Sequence, residues 1–377
     1  MKVRLGRNFT LLLVILLSFS SLGILDVKAQ RADSWASLAP MPTPRTGLGV
    51  AAVNGKIYAI GGSNGASLTV NEEYNPQTNT WTIKAPMPTP RSSFAIFVYQ
   101  DKIHVVGGKI DSMTPTNIHQ VYDPKNDTWE NLPTAQALRA SGFAGNIVND
   151  KAYVISGSPS YAPPWANYDI NNVYDLTFGN WSINTPIPTA VYHYASAVLD
   201  NKIFVIGGYQ IGLKNGGYDL NQIYNPENDS WSLGSPIPVS VSGAGCVATT
   251  GAFSPRRIYV IGGFETPLGY AGSRTNLNNV YDPSNDQWST GVSLPSNRSQ
   301  FGLVEVDGKL YAIGGFDDNN YLSLNQKYTP TGYGTPPPNP TPTPEPEPFP
   351  TTIVLISVVI IAVVGVGIFV YFKKRKT

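Results

Sequence analysis

Side chains able to do chemistry are scarce in this chain, and their spacing limits what they can do. Histidine occurs three times, as His104, His119 and His193, and cysteine once, as Cys246. Copper or zinc centres gather several such ligands. Here His104 and Cys246 lie within apolar runs and His119 stands three residues before Tyr122, so no joint metal site is expected. Asp317, Asp318 and Asn319 offer oxygens of the kind calcium takes, but adjacent carboxylates in a turn are ordinarily solvated. Arg45, Arg91, Arg139 and Arg298 recur at one relative position. A set of guanidinium groups could bind an acidic ligand; their recurrence with the scaffold favours a role in satisfying backbone carbonyls between repeats. No phosphate-binding loop or nucleophile motif is present, and a single cysteine excludes an internal disulfide.

The elements that must position these residues come from a sixfold repeat. Each copy has a basic residue, a short apolar strand and a small-Gly pair: Lys56 to Gly62, Lys102 to Gly108, Lys151 to Gly157, Lys202 to Gly208, Arg257 to Gly263 and Lys309 to Gly315. A tyrosine follows, at Tyr74, Tyr122, Tyr174, Tyr224, Tyr281 and Tyr328. Seven residues beyond the first five stand Trp81, Trp129, Trp181, Trp231 and Trp288. A period near fifty residues means an array of units, none of which buries its apolar surface alone. Each unit reads as four antiparallel strands: a small-residue run such as Gly47 to Val53, the apolar strand, one ending at the Tyr and one starting at the Trp. The second strand is apolar on successive residues, as in Ile203, Phe204, Val205 and Ile206, so both its faces should be buried. Turns such as Asn75-Pro76-Gln77-Thr78-Asn79 join the last two strands.

The ends read differently. Lys2, Arg4 and Arg7 precede an apolar run from Leu11 to Leu25, with Val27-Lys28-Ala29 suited to cleavage, so residues 1–29 read as a signal peptide. Residues 331–350 form a Pro-rich stalk of extended character. Residues 351–372 hold an apolar stretch of membrane-spanning length, and the basic tail 373–377 would stay cytoplasmic. The expectation is a single-pass cell-membrane protein with residues 30–330 outside. That exported part carries a net charge of about −6, a poor basis for binding nucleic acid.

The diglycine, Tyr and Trp in register resemble the kelch motif, and the chain is similar to a six-bladed kelch β-propeller. The resemblance implies an all-β fold over residues 30–330; the one C-terminal transmembrane helix expected after it is read from the apolar stretch alone. The third copy departs with Ser156 before Gly157, and the sixth has no Trp seven residues after Tyr328. An unmatched Trp35, followed by the same Pro-rich exit as Trp81, suggests that an N-terminal strand closes the last blade.

From the second Gly to the Tyr the spans are 12, 14, 17, 16, 18 and 13 residues, whereas Tyr to Trp is always seven. Variable loops on a fixed scaffold carry recognition, so the face that gathers the loops from second to third strand and from fourth to next first strand is the expected site. It holds Tyr161, Trp165 and Tyr168; Tyr209, Asn215 and Tyr218; Phe264, Tyr270 and Arg274; and Asp317, Asp318 and Tyr321. These aromatic and short polar groups suit a peptide or a sugar; loop packing is the alternative use for each. In peptide-binding kelch domains the contacts tend to come from just after the diglycine and from the start of the first strand. Carried over, these are Asn64, Lys109, Asp111, Ser160, Tyr209 and Asp318, then Ser93, Ser141, His193 and Gln300.

Kelch-type copper oxidases use a Cys to Tyr crosslink with histidine ligands, a pattern that Cys246 and the three histidines do not match. No cofactor or metal is therefore expected. Sequons begin at Asn126, Asn180, Asn228 and Asn297, the first three on the opposite face, and mark possible glycosylation. The function expected is non-catalytic binding of an extracellular protein or glycan. The competing reading is an extracytoplasmic carbohydrate-active enzyme of epimerase or oxidase type, which clustered carboxylates around a deep pocket would favour.

Overall fold

The computed structural model describes residues 33–134, 140–159, 168–210, 217–265 and 272–334. By internal contacts the chain divides into residues 1–335 and 336–377, and every described residue belongs to the first unit. Among the described residues the structure is all β. Sheet one comprises Gly49–Val53, Lys56–Ile60, Asn71–Asn75 and Thr80–Ile83, paired antiparallel in chain order. Sheets two to four repeat this plan with Ala95–Tyr99 to Thr128–Leu132, Gly145–Val148 to Asn180–Asn184, and Ala195–Leu199 to Ser230–Gly234. Sheet five runs from Gly245–Thr249 to Gln287–Thr290, with a small ribbon of Val241–Ser242, Phe264–Glu265 and Ser273–Arg274 beside it. The Trp-bearing strand starts one residue before its Trp, and the Tyr-bearing strand ends one residue after its Tyr.

Sheet six contains Gly302–Val306, Lys309–Ile313 and Asn325–Thr329, and its fourth strand is Ser34–Ser37 from the other end of the chain. Trp35 stands opposite Tyr328, as Trp81 stands opposite Tyr74. Their rings lie 5.0 Å apart, matching the 5.0 Å of Tyr74 and Trp81. The expected pairing of the N-terminal strand is thus present.

The second strands are buried on both faces, as the unbroken apolar runs require: Ile57, Tyr58, Ala59 and Ile60 are all at or below 4% exposure. Apolar clusters join sheet one to two, two through three to four, four to five and five to six. A further cluster joins Tyr311 and Ile313 of sheet six to Ile57 and Tyr74 of sheet one. Among the described residues each of the six sheets thus shares apolar clusters with two others.

The repeat tyrosine and tryptophan serve as a clamp between sheets. The Tyr122 hydroxyl donates to Asp127 Oδ1 at 2.6 Å, and the same oxygen accepts the Ala85 N–H from the preceding sheet's exit at 2.8 Å. The Trp129 Nε1–H donates to the Ala85 carbonyl at 2.9 Å. The Tyr224/Asp229/Trp231 set grips Thr185 in the same way, and the Tyr281/Asp286/Trp288 set grips Ser235. The fixed spacing of seven is the length of hairpin that puts all three groups around the N–H and carbonyl of one residue.

The expected single-pass placement in a cell membrane, with the domain outside, is corrected. Among the described residues no helix is long and apolar enough to cross a membrane. The segments read as signal peptide (1–29), transmembrane helix (351–372) and basic tail (373–377) lie outside the described residues, as does all of the stalk beyond residue 334.

Candidate binding site

Six residues that precede the first strands form a ring of backbone hydrogen bonds. Gly47 N–H donates to the Gln300 carbonyl at 2.8 Å, Ser93 to Gly47 at 2.8 Å, Gly142 to Ser93 at 2.9 Å, His193 to Gly142 at 2.7 Å, Gly243 to His193 at 2.6 Å and Gln300 to Gly243 at 2.7 Å. All six have positive φ, between 52° and 71°, which is ordinary for Gly and uncommon for Ser, His and Gln. Glycines alternate with side chains around the ring for a steric reason. A Cβ on Gly142 would lie 2.6 Å from His193 Cδ2, one on Gly47 3.2 Å from Ser93 Oγ, and one on Gly243 3.1 Å from Gln300 Cγ. Each glycine leaves room for its neighbour's side chain, so Ser93, His193 and Gln300 share the centre. Together with Phe94, Phe143 and other flanking residues they line a cavity of about 120 Å³.

Gln300 Nε2 and His193 Nδ1 are 3.1 Å apart, so the amide donates and Nδ1 accepts, leaving the ring hydrogen on Nε2. Burial, with the nearby Lys109 charge, pushes the His193 imidazole down to about 4. It is neutral at pH 7.

Residues just after the diglycines form the next circle. Lys109 bridges Ser92, Tyr209 bridges Tyr192, and Phe316 bridges Ser299. The two halves of this face differ. Toward sheets one and two the lining is Thr46, Ser63, Ser67, Ser92, Lys109 and Ser112, bordering a cleft of about 240 Å³ that Gln300 and Tyr321 complete. Toward sheets four to six it is aromatic: the Tyr192 and Tyr209 rings are 4.0 Å apart, and the Arg274 guanidinium lies 4.7 Å from the Phe316 ring centre.

Of the residues expected here, Lys109, Asp111 and Gln300 line the polar cleft, while His193 and Gln300 share the central cavity with Ser93. Tyr209 packs on Tyr192 and His193. Asn64 is exposed nearby. Asp318 is bound to Arg274, and Asp317 Oδ1 accepts the Asn319 and Asn320 N–H groups at 3.1 and 2.9 Å, so that loop is organised as a turn. Ser141 is fully buried; the ring position in its sheet belongs to Gly142. Ser160, Tyr161, Trp165, Asn215 and Tyr270 lie outside the described residues. The sequon residues Asn126, Asn180, Asn228 and Asn297 are all exposed.

The arginines are scaffold. Arg45, Arg91 and Arg298 are at 0% exposure. Arg91 donates to the carbonyls of Gly107 and Ile118 at 3.1 and 2.8 Å and to Gln120 Oε1 at 2.7 Å. Arg298 does the same with Gly314 and Gln326, and Arg45 with Ala59 and Glu72. Burial pulls Arg91 and Arg298 down to about 9, still cationic at neutral pH. The carbonyls belong to each arginine's own sheet, where the sequence reading placed them between repeats. In the third repeat the matching residue is Ala140, whose carbonyl accepts Gly108 N–H at 3.1 Å as Arg91 accepts Gly62 N–H at 2.9 Å. Arg139 is one position off and outside the described residues.

Two histidines missed as a pair do meet. His104 Nδ1 and His119 Nε2 are 3.0 Å apart and buried. His104 stands where the other second strands carry Tyr or Phe, and His119 where the other third strands begin with Asn. Among the described residues no three His, Cys, Asp or Glu side chains are grouped to hold a metal ion. Cys246 is partly buried against the apolar cluster of sheets four and five, and burial pushes its thiol up.

The model of the Kelch motif matches residues 44–88, 90–136, 190–238 and 297–332. Human Kelch repeat and BTB domain-containing protein 12 is 26% identical over 211 residues, 53% of this chain and 33% of the relative. Mouse Kelch-like protein 15 is 25% identical over 54% of this chain and 34% of its own length. Kelch-like protein 23 of Pongo abelii is 27% identical over 57% and 27%. The chain thus spans about a third or less of these relatives' length. Among solved structures, that titled "Structure of YjhT" has a TM-score of 0.64 at 18% identity and covers 78% of this chain and 96% of that one, a likeness of fold.

Proposed function

Since this chain belongs to the kelch-repeat proteins, we propose that it is a closed six-bladed propeller, spanning residues 30–330, that binds another protein or a glycan on its loop face without chemistry. The observation that carries this is the contrast between faces. On the hairpin side the recurring Tyr, Asp and Trp groups are engaged in the clamp between sheets, whereas on the loop side the residues after the diglycines change from repeat to repeat: Ser63, Lys109, Ser158, Tyr209, Phe264 and Phe316. The loops on that side also vary in length, from 12 to 18 residues between the second Gly and the Tyr, while every hairpin keeps its spacing of seven, and loops that vary on a fixed scaffold are what partner recognition uses.

The test is binding of the full chain to peptide and glycan arrays, followed by affinity measurements on hits. Tyr209→Ala combined with Tyr321→Ala should weaken a hit by about 1–3 kcal/mol, provided the variant melts like the parent. Lys125→Ala with Glu227→Ala, in the hairpin turns, should leave affinity unchanged. The opposite pattern would assign binding to the other face.

A further inference from the structure

We propose that the domain opens first between sheets two and three, and that taking up protons on two histidines buried in that seam drives the opening.

Four departures from the repeat meet there. At four other seams the residue four places after the Trp donates its N–H to an Asp or Asn of the next sheet: Ala39 to Asn79 at 2.8 Å, Ala85 to Asp127 at 2.8 Å, Thr185 to Asp229 at 3.0 Å and Ser235 to Asp286 at 2.7 Å. Asp33 holds the acceptor's place between sheets five and six. Between sheets two and three the donor's place is taken by Pro133, which has no N–H, and the acceptor's by Gly179, which has no side chain. That hydrogen bond cannot form. The bond from Trp181 Nε1–H to the Pro133 carbonyl remains, at 3.2 Å the longest of the six of its kind.

The aromatic contact is altered too. At the other five seams a second-strand Tyr or Phe meets the next sheet's repeat Tyr, with ring centres 5.7–6.3 Å apart. Here His104 holds the second-strand place, and His119 stands edge-on against Tyr174 at 4.9 Å. The imidazoles, with nitrogens 3.0 Å apart, lie among Phe97, Tyr174 and Trp181. The charges acting on them are cationic: Lys102 on His104, and His104 and Arg91 on His119. The Pro133 carbonyl favours a proton on His119, and the Glu130 carboxylate acts on Tyr174. Protonating both rings would set two N–H groups against each other across the 3.0 Å gap. In an opened seam water reaches the rings, and their pKa returns toward 6.5. The open form then binds more protons than the closed one. Opening therefore grows as pH falls below 6.5, by up to about tenfold per pH unit for each histidine.

Hydrogen exchange of the full chain, resolved to single amides, tests this. Two backbone bonds cross this seam, from Gly108 N–H to Ala140 and from Gly142 N–H to Ser93. Their counterparts are Gly62 to Arg91 and Ser93 to Gly47 between sheets one and two, and Gly208 to Val241 and Gly243 to His193 between sheets four and five. With exchange corrected for its intrinsic pH dependence, Gly108 and Gly142 should be the least protected at pH 7. At pH 5 they should lose at least about tenfold more protection than their counterparts. Pro133→Ala with Gly179→Asp supplies donor and acceptor, in a turn where Asp127 and Asp229 already hold positive φ. It should slow both amides at least about tenfold at pH 7. His104→Phe with His119→Asn, residues that other repeats carry at these places, should keep the pH 7 ranking and abolish the extra loss at pH 5. Equal protection at all seams, no gain in the first variant, or an acid response that survives in the second, as titration of the neighbouring His193 would give, overturns the proposal.

Discussion

The buried charges show how similar side chains carry different energetic stakes. Arg91 and Arg298 each meet a neutral glutamine, Gln120 and Gln326; Arg45 at the same position meets Glu72 at 2.6 Å with both side chains buried. Glu72→Gln should therefore cost little, under about 1 kcal/mol, because the fold already uses that pairing twice. Arg45→Met should cost about 3–5 kcal/mol, since it strands a buried carboxylate. Chemical unfolding of the two variants checks this, and equal losses would refute it. The histidine pair predicts a pH dependence. Burial pushes His104 down to about 4, helped by Lys102, and His119 to about 3, helped by His104 and Arg91. The unfolded chain, with histidine near 6.5, then binds more protons than the folded one below that pH. Stability should be full above pH 6.5 and fall toward pH 4 by up to about 1.4 kcal/mol per pH unit for each histidine. His193, also held at about 4, adds a third such contribution, so unfolding free energies measured across this range should lose about a third of the histidine slope in His104→Phe, a residue already used at this position in sheet four. The pair was hidden in the sequence because each histidine is legible only as a substitution within its own repeat column, Tyr or Phe for one and Asn for the other.

Among the elements, the strand Ser34–Ser37 carries the most consequence per residue. Its Trp35 Nε1–H donates to the Val292 carbonyl at 2.9 Å and its ring packs on Tyr328, so it supplies sheet six with the Tyr and Trp contacts that the other sheets build from their own hairpins, sheet three with Gly179 in place of the Asp or Asn. Removing residues 30–42 should leave Asn325–Thr329 as an unpaired edge and lower the melting temperature by several degrees. An unchanged melting temperature would show that the strand is dispensable. This pairing was readable beforehand because Trp, Tyr and their spacing are identity-level signals repeated in register. The ring positions were not, because positive φ at Ser93, His193 and Gln300 leaves no mark in residue type. Only the alternation with Gly47, Gly142 and Gly243 hints at it. The same blindness misplaced Arg139 and Ser141: the third repeat keeps its backbone register through Ala140 and Gly142, while its side chains suggest a shift of one. Ser156 shows the compensation at close range. It holds φ at +60° in the place of a glycine, and its hydroxyl donates to the Tyr168 carbonyl at 2.7 Å and accepts Val191 N–H at 2.9 Å.

At the scale of the molecule, the interfaces that return from sheet six to sheet one make each sheet's stability depend on two neighbours. Thermal unfolding should therefore follow one cooperative transition, and calorimetry resolving two would show that groups of sheets unfold independently. Gly142→Ala should weaken the whole assembly by about 1–3 kcal/mol, because its Cβ would press on His193 and Tyr192 at a left-handed backbone position. The ring of six backbone hydrogen bonds also limits how this face can hold a guest. Each of its six N–H groups already donates to the next carbonyl around the ring, so an acceptor arriving at the centre must be met by side chains, Ser93, His193 and Gln300, and not by the main chain.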